Sequence, residues 1–303
     1  MKSKNRELFT KFEAYLLTEK LVSANTFSAY KHDIAQFEQF LNKEHLQLEQ
    51  VTAKDLKLFL KYLKDLNIGA RSISRKISSL KVLFSFLNDR HGIENKAEEL
   101  HFPKFKKGLP VFLSEHEVEL LLKAAEKDSS ALGVRNKIML YLLYVSGMRI
   151  SELTSLKLSA LQFDTGFIRV KGKGGRERMI PIPQPMMNLL RNYIEEIHSQ
   201  FTHKGRSTDY LFPILYAGKI KPISRQSFWI ILNNLWHQTG IKKVISPHKL
   251  RHSLATHMLK NGADLRALQL ILGHENLATV QIYTHVETSQ LRKIYDEKHP
   301  RSE

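Results

Sequence analysis

Four stretches of this chain hold residue types that can act on a phosphate ester. Ser246-Pro-His-Lys-Leu-Arg-His252 opens with a serine and a proline, which mark a helix N-cap and its first turn. His248 and Arg251 then stand three apart, on one side of the opening turns. Free N–H groups and a partial positive charge at a helix start add to them, so the stretch is a phosphate site in outline. His248 and His252 are also four apart, the spacing of a zinc pair. Lys249 stands where that motif needs its glutamate base, so the metal reading is weak, and His252 and His257 read as packing or supporting residues. Gly172-Lys-Gly-Gly-Arg-Glu-Arg178 is a glycine turn without the order of a Walker A loop. It is either a solvated tip or a turn that carries Lys173 to a phosphate, with Arg176 and Arg178 beside it. In Ser146-Gly-Met-Arg-Ile-Ser-Glu152, Arg149 follows a nearly all-apolar helix. A half-buried arginine there needs a partner, and Glu152 is the candidate. The pair is either structural or a guanidinium fork aimed at phosphate oxygens. In Leu272-Gly-His through Tyr283-Thr-His285, Gly273 ends a helix, His274 lies in the break, and Tyr283 follows nine residues later. One of ten tyrosines carries chemistry only if other groups converge on it.

The elements that must position these groups fall into two blocks. Phe27, Tyr30, Ile34, Phe37 and Leu41 recur at helical spacing, as do Ile73, Ile77, Leu80, Phe84 and Leu87. Thr52-Ala-Lys-Asp55 has a capping-box pattern before an amphipathic stretch to Leu66. With Leu8 to Leu17 this makes four helices, a small bundle over residues 1–100. Arg71, Arg75, Lys76 and Lys81 share one of these helices, whose apolar face is already assigned. Residues 101–112 hold two prolines, a glycine and three lysines, a basic linker. Ser114-Glu-His-Glu117, another capping box, opens a second domain over 113–303. That domain is mostly helical, with helices near 184–199, 224–239, 247–261 and 264–272. Its one β insert is a hairpin of Phe167–Lys171 and Arg178–Ile182 around the glycine turn. The fold class is therefore mainly α.

Composition narrows the function classes. Of 303 residues, 47 are basic and 30 acidic, a net charge of +17. Residues 1–107 carry 20 and 13 of these, and the remainder 27 and 17, so the excess is shared by both domains. Such a balance asks for a polyanion, and nucleic acid leads. The absence of cysteine excludes a disulfide framework, a thiol nucleophile, Fe–S clusters and cysteine-ligated zinc. No secretory signal opens the chain, and the longest apolar run, Ile138–Val145, is too short to cross a bilayer. The expectation is a cytoplasmic protein without a membrane partner.

Taken in order, Arg149, Lys173, His248-x-x-Arg251, His274 and Tyr283 form one constellation. Ser146–Leu153, Ser246–Leu259 and Leu272–His285 resemble the motifs of the tyrosine recombinase (phage integrase) family. The resemblance runs from about residue 8 to the end and is strongest to the bacterial Xer branch, with the tail Gln290–Arg301 leaning toward its XerD subgroup. Leu254 replaces a phenylalanine common there, and no catalytic position departs from the pattern.

The resemblance implies a SAM-like core-binding domain before a catalytic domain, and strand exchange on double-stranded DNA through a 3′-phosphotyrosine. Arg71, Arg75, Lys76 and Lys81 are then expected to touch DNA, mostly at phosphates with some base reading, the alternative being a solvated face, and Arg176 and Arg178 are expected DNA contacts on the hairpin. It makes Tyr283 the nucleophile, Arg149 and Arg251 the clamp on the non-bridging oxygens, and His274 a further donor. His248 is the candidate base for a phenol whose ordinary pKa is about 10, and Lys173 the acid for the leaving 5′-oxygen. A phosphotyrosine stores the ester's energy, so neither a cofactor nor a metal is expected. The resemblance further implies a tetramer on two DNA sites, with the tail Glu287 to Arg301 packing into a neighbouring subunit. A paralogous recombinase and a DNA-translocase activator are partners it allows. Resolution of chromosome or plasmid dimers at a dif-like site is the favoured role. A phage or mobile-element integrase of the same chemistry and a non-catalytic DNA-binding relative are the alternatives; a type IB topoisomerase fits the motifs less well.

Overall fold

The structure, a computed structural model, describes residues 2–103, 112–172, 175–202, 207–273, 292 and 294–301. The chain forms two compact units, Met1–Leu109 and Pro110–Glu303. Their division falls within the stretch 101–112, of which residues 104–111 lie outside the described residues.

The first unit is built from α1 (Lys2–Thr18), α2 (Ala24–Lys43), α3 (Ala53–Asp65) and α4 (Ala70–His91). Ser23 caps α2, and Thr52 with Asp55 closes the capping box of α3. The apolar stripes of the four helices meet in one core, in which the rings of Phe37, Phe40 and Phe59 touch one another. Each such ring removed from water is worth roughly 1.5–3 kcal/mol. Asn5 ties α1 to the chain before α3, donating to Leu46 O at 3.1 Å and accepting from Leu48 N at 2.8 Å.

Among the described residues the second unit holds α5 (Glu115–Ala125), α6 (Ala131–Ser146), the short α7 (Ile150–Thr154), α8 (Gln184–Asn192), α9 (Arg225–His237), α10 (Pro247–Lys260) and α11 (Leu265–Leu272). A three-stranded antiparallel sheet interrupts them, in the order β1 (Leu161–Gln162), β2 (Phe167–Lys171), β3 (Glu177–Pro181). The register pairs Ile168 with Ile180 and Val170 with Arg178. A second antiparallel pair, β4 (Pro213–Tyr216) and β5 (Lys219–Pro222), was not expected from the sequence. Its two-residue turn, Ala217-Gly218, has positive φ at both positions. Alanine there gives none of the Asn-Gly or Asp-Gly signal by which such turns are recognised.

One apolar core joins α5, α6, α8, α9, α10, α11 and the three-stranded sheet. Helix α10 holds the start of the unit as well. Ser253 Oγ accepts from Leu113 N at 2.8 Å, and His257 Nε2 donates to Leu113 O at 2.8 Å. That proton on Nε2 leaves His257 Nδ1 to accept from the Tyr144 hydroxyl at 2.9 Å. Burial pushes the His257 imidazole below its ordinary pKa, as suits a neutral core residue. His257 is thus a packing residue, whereas His252 is exposed.

The tail returns to the same core. Residues 294–298 are helical, Tyr295 is fully buried, and its hydroxyl donates to Val145 O at 2.6 Å. His299 stacks on Tyr295 at 4.6 Å between ring centroids. Among the described residues no helix is long and apolar enough to cross a membrane.

Candidate active site

Helix α6 is apolar over most of its surface and ends at Gly147, whose φ of +57° closes the last turn. A side chain at Gly147 would lie 2.8 Å from both Leu254 and Leu272, so α10 and α11 approach the backbone closely here. The chain turns directly into α7, with Arg149 as its N-cap. Glu152 reaches back and accepts from Arg149 N at 2.7 Å and from Arg149 Nη1 at 3.0 Å. Glu152 therefore fixes both the backbone and the fork of Arg149.

Arg251 arrives from α10, one turn beyond the Ser246 cap. It is buried, donating through Nη1 to Gly147 O at 2.6 Å and through Nη2 to Leu272 O. Burial, with the positive charges of Arg149 and Arg178 added, pushes its guanidinium down to about 10, against the pull of Glu152. It stays cationic at neutral pH. An anion placed beside it would be bound without competition from bulk water.

The third guanidinium departs from the expectation. Arg178 was expected beside Lys173 as a DNA contact, yet its side chain is 7% exposed and faces the core. It makes a fork on Glu152, Nη1 to Oε1 at 3.0 Å and Nη2 to Oε2 at 2.8 Å, and its Nε donates to Ile271 O at 2.9 Å. Strand alternation explains the inward turn. Arg178 and Ile180 share one face of β3, and both are buried. That period of two was legible in the sequence and was obscured by the basic character of the turn.

Three arginines thus land on three successive carbonyls at the C-terminal end of α11. Arg178 takes Ile271 O, Arg251 takes Leu272 O, and Arg149 takes Gly273 O at 3.1 Å. A helix C-terminus leaves its last carbonyls unpaired and carries partial negative charge, so it is a natural seat for cations. Gly273 has φ +65°, and a Cβ there would sit 3.1 Å from Arg178 Cδ. Among these groups Glu152 is the one carboxylate. Burial pushes its pKa up, but the bonds and charge of Arg178, then the backbone and side chain of Arg149, outweigh burial and hold it below the ordinary range.

His248 lies in the first turn of α10 and is exposed, whereas Arg251 is buried. The hairpin that carries Lys173 is closed by Gly172 N donating to Arg176 O at 2.7 Å, and Arg176 is exposed. Lys173, His274 and Tyr283 lie outside the described residues. Among the described residues no group of three His, Asp or Glu side chains gathers as metal ligands.

The four basic residues of α4 expected at DNA separate. Lys76 is buried, with Nζ on Asp33 Oδ1 at 2.8 Å, so it is no surface contact. It stands three after Ile73 and four before Leu80, on the apolar stripe itself. Arg75 donates to Asp33 Oδ2 at 2.6 Å and to Ala29 O at 2.8 Å. Lys81 donates to Glu98 O at 2.9 Å and covers the Phe102 ring, while Arg71 is exposed.

Comparison with known proteins gives the family. Residues 111–290 match the Phage integrase family, and residues 9–91 match the Phage integrase, N-terminal SAM-like domain. A bundle of SAM-like type followed by a helical domain with clustered arginines is the build of a DNA-rejoining enzyme, and the chain belongs to the phage integrase family of tyrosine recombinases. Tyrosine recombinase XerD of Oceanobacillus iheyensis is 40% identical over 296 residues, covering 96% of this chain and 97% of that protein. Tyrosine recombinase XerD of Staphylococcus aureus is 38% identical over 290 residues, covering 95% and 97%. Within the family the chain is therefore XerD-like, a site-specific recombinase that cuts and rejoins DNA. Among solved structures, XerH recombinase bound to difH substrate has the same fold with a TM-score of 0.68 and 24% identity, over 88% of this chain and 78% of that one. Lambda integrase (residues 75–356) bound to DNA likewise gives 0.68 at 19% identity, over 99% of each chain.

Proposed function

We propose that this recombinase resolves chromosome or plasmid dimers at a dif-like site, through a 3′-phosphotyrosine on Tyr283. The observation that carries the reading is the meeting of Arg149 and Arg251 at the carbonyls that immediately precede His274. In this reading the two guanidiniums bind the non-bridging oxygens of the scissile phosphate and offset the charge that grows in the transition state. Arg149, its side chain 40% exposed, is the reachable one, and Arg251 forms the floor. His274 adds a hydrogen bond. His248 takes the phenolic proton of Tyr283 as it attacks phosphorus, and Lys173 gives a proton to the departing 5′-oxygen.

The N-terminal unit also grips the duplex, with Arg71 and Lys81 on α4 as phosphate contacts. Arg176, on the catalytic hairpin, is a further one. Four copies assemble on two sites, and the tail that here seats Tyr295 in its own unit does so in a neighbour. Relatives support this reading by name and state: XerH has been solved on difH, and lambda integrase as a tetramer on a Holliday junction.

The test is a nicked suicide duplex bearing a candidate dif-like site, run on a denaturing gel. A covalent adduct forms with the wild-type chain and is lost in Tyr283→Phe. An adduct that persists in that variant removes Tyr283 as nucleophile. Lys173→Ala binds DNA normally and cleaves slowly; normal cleavage removes it as the acid.

A further inference from the structure

Glu152 is a saturated carboxylate. Its Oε1 accepts from Arg149 Nη1 and Arg178 Nη1, both at 3.0 Å, and its Oε2 accepts from Arg149 N at 2.7 Å and Arg178 Nη2 at 2.8 Å. The two arginines differ in access. Arg149 is 40% exposed at its side chain, and Arg178 is 7% exposed. A phosphate can reach the first, whereas the second has all three guanidinium nitrogens already engaged, by Ile271 O and the two Glu152 oxygens. When Arg149 turns its charge to an incoming phosphate, Glu152 would be left as a buried carboxylate with a weakened partner, an expensive state. Arg178 is placed to prevent that, because its fork holds both oxygens and its Nε is anchored on Ile271 O.

We infer that Arg178 is a positioning residue for DNA cleavage: by holding Glu152 in place and neutralised, it keeps the Arg149 fork aimed at the scissile phosphate without itself touching DNA. The inference rests on the assignment of Arg149 as a phosphate clamp proposed above. Arg178 does this from β3, the strand that follows the Lys173 turn, and its side chain also borders Gly273. One buried guanidinium thereby joins the hairpin, the start of α7 and the end of α11.

The chemistry offers a readout that folding defects do not share. A methylphosphonate at the scissile position has lost one anionic oxygen, so its cleavage needs less from a cationic clamp. Single-turnover adduct formation is measured on matched phosphodiester and methylphosphonate suicide duplexes for the wild-type chain, Arg149→Ala, Arg178→Gln and Arg178→Lys. Removing one transition-state donor in such a site slows the reaction by about 10²–10³-fold, the loss expected on the phosphodiester for Arg149→Ala. Arg178→Gln is expected to lose at least about tenfold on the phosphodiester and much less on the methylphosphonate, because an indirect effect reaches the same donor only in part. Arg178→Lys keeps the charge but not the fork and should fall between Arg178→Gln and wild type. DNA affinity should stay within about threefold for both Arg178 variants, since neither removes a phosphate contact. Equal losses on the two substrates, or none on the phosphodiester, overturn the inference. If Arg149→Ala itself shows no preference for the neutral substrate, the clamp assignment has failed; if it does and the Arg178 variants do not, only the positioning role has failed.

Discussion

Lys76 is a lysine that the sequence placed on a DNA-facing helix and the fold placed in a core, and the difference is measurable. Its Nζ sits 2.8 Å from Asp33 Oδ1, with the two side chains 4% and 1% exposed. Arg75 also reaches Asp33, at 2.6 Å, but is 40% exposed and can turn to water. Asp33→Ala leaves the Lys76 ammonium buried without a carboxylate, a loss of about 3–5 kcal/mol. Lys76→Met keeps the apolar stem and leaves Asp33 paired with Arg75, so we expect a loss of about 1.5 kcal/mol or less. The double variant removes the stranded charge and should be more stable than Asp33→Ala by about 2 kcal/mol or more, a strongly non-additive pair. Both tryptophans, Trp229 and Trp236, lie in the second unit, so their fluorescence is silent to the first. Urea unfolding followed by far-ultraviolet circular dichroism, with the fluorescence transition as internal reference, isolates the affected unit. In parallel, Lys76→Met should leave the salt dependence of duplex binding unchanged, whereas Arg71→Ala should lower its slope by about 1. Additive stabilities, or a reduced slope in Lys76→Met, would refute the assignment of Lys76 to the core.

Other consequences follow from the same contacts. Gly273→Ala puts a β-carbon 3.1 Å from Arg178 Cδ at a φ of +65°. A strain of about 1–2 kcal/mol is expected, seen as slower suicide-substrate cleavage at unchanged DNA affinity; normal cleavage would count against close packing at this turn. Burial pushes His299 down to about 3, against its hydrogen bond to Val145. Because the folded value is depressed, tail docking is full above the ordinary value of about 6.5 and weakens as pH falls toward 3, by about 1.4 kcal/mol per pH unit. Hydrogen exchange of residues 294–301 at pH 7.5 and 5.5 checks this, and protection that does not change with pH would refute it. Ser253→Ala strips the buried Leu113 N–H of its acceptor and should destabilise the second unit by about 1–3 kcal/mol; a fluorescence-detected midpoint equal to wild type would contradict that.

Much of this protein was open to reading from its residues alone. Helix periodicity and capping boxes located the bundle, and Ser246-Pro247 located the start of α10, because caps and apolar stripes are local properties. The order of Arg149, Arg251 and their neighbours pointed to phosphate chemistry, since those types recur wherever an anionic ester must be held. What the chain order could not provide was direction. Arg178 and Lys76 looked like surface cations because their neighbours in sequence are polar or basic, yet a strand register and a helix stripe turn both inward. The hairpin of β4 and β5 escaped because an Ala-Gly turn carries little signal. Above all, the meeting of three guanidiniums with Glu152 and the end of α11 joins residues up to 124 positions apart. Such a meeting depends on how helices pack and on which carbonyls they leave unpaired. The residue types were set by the sequence; which cations stay open to solvent and which are tied to carboxylates and carbonyls inside was decided by packing, a property of the assembled fold.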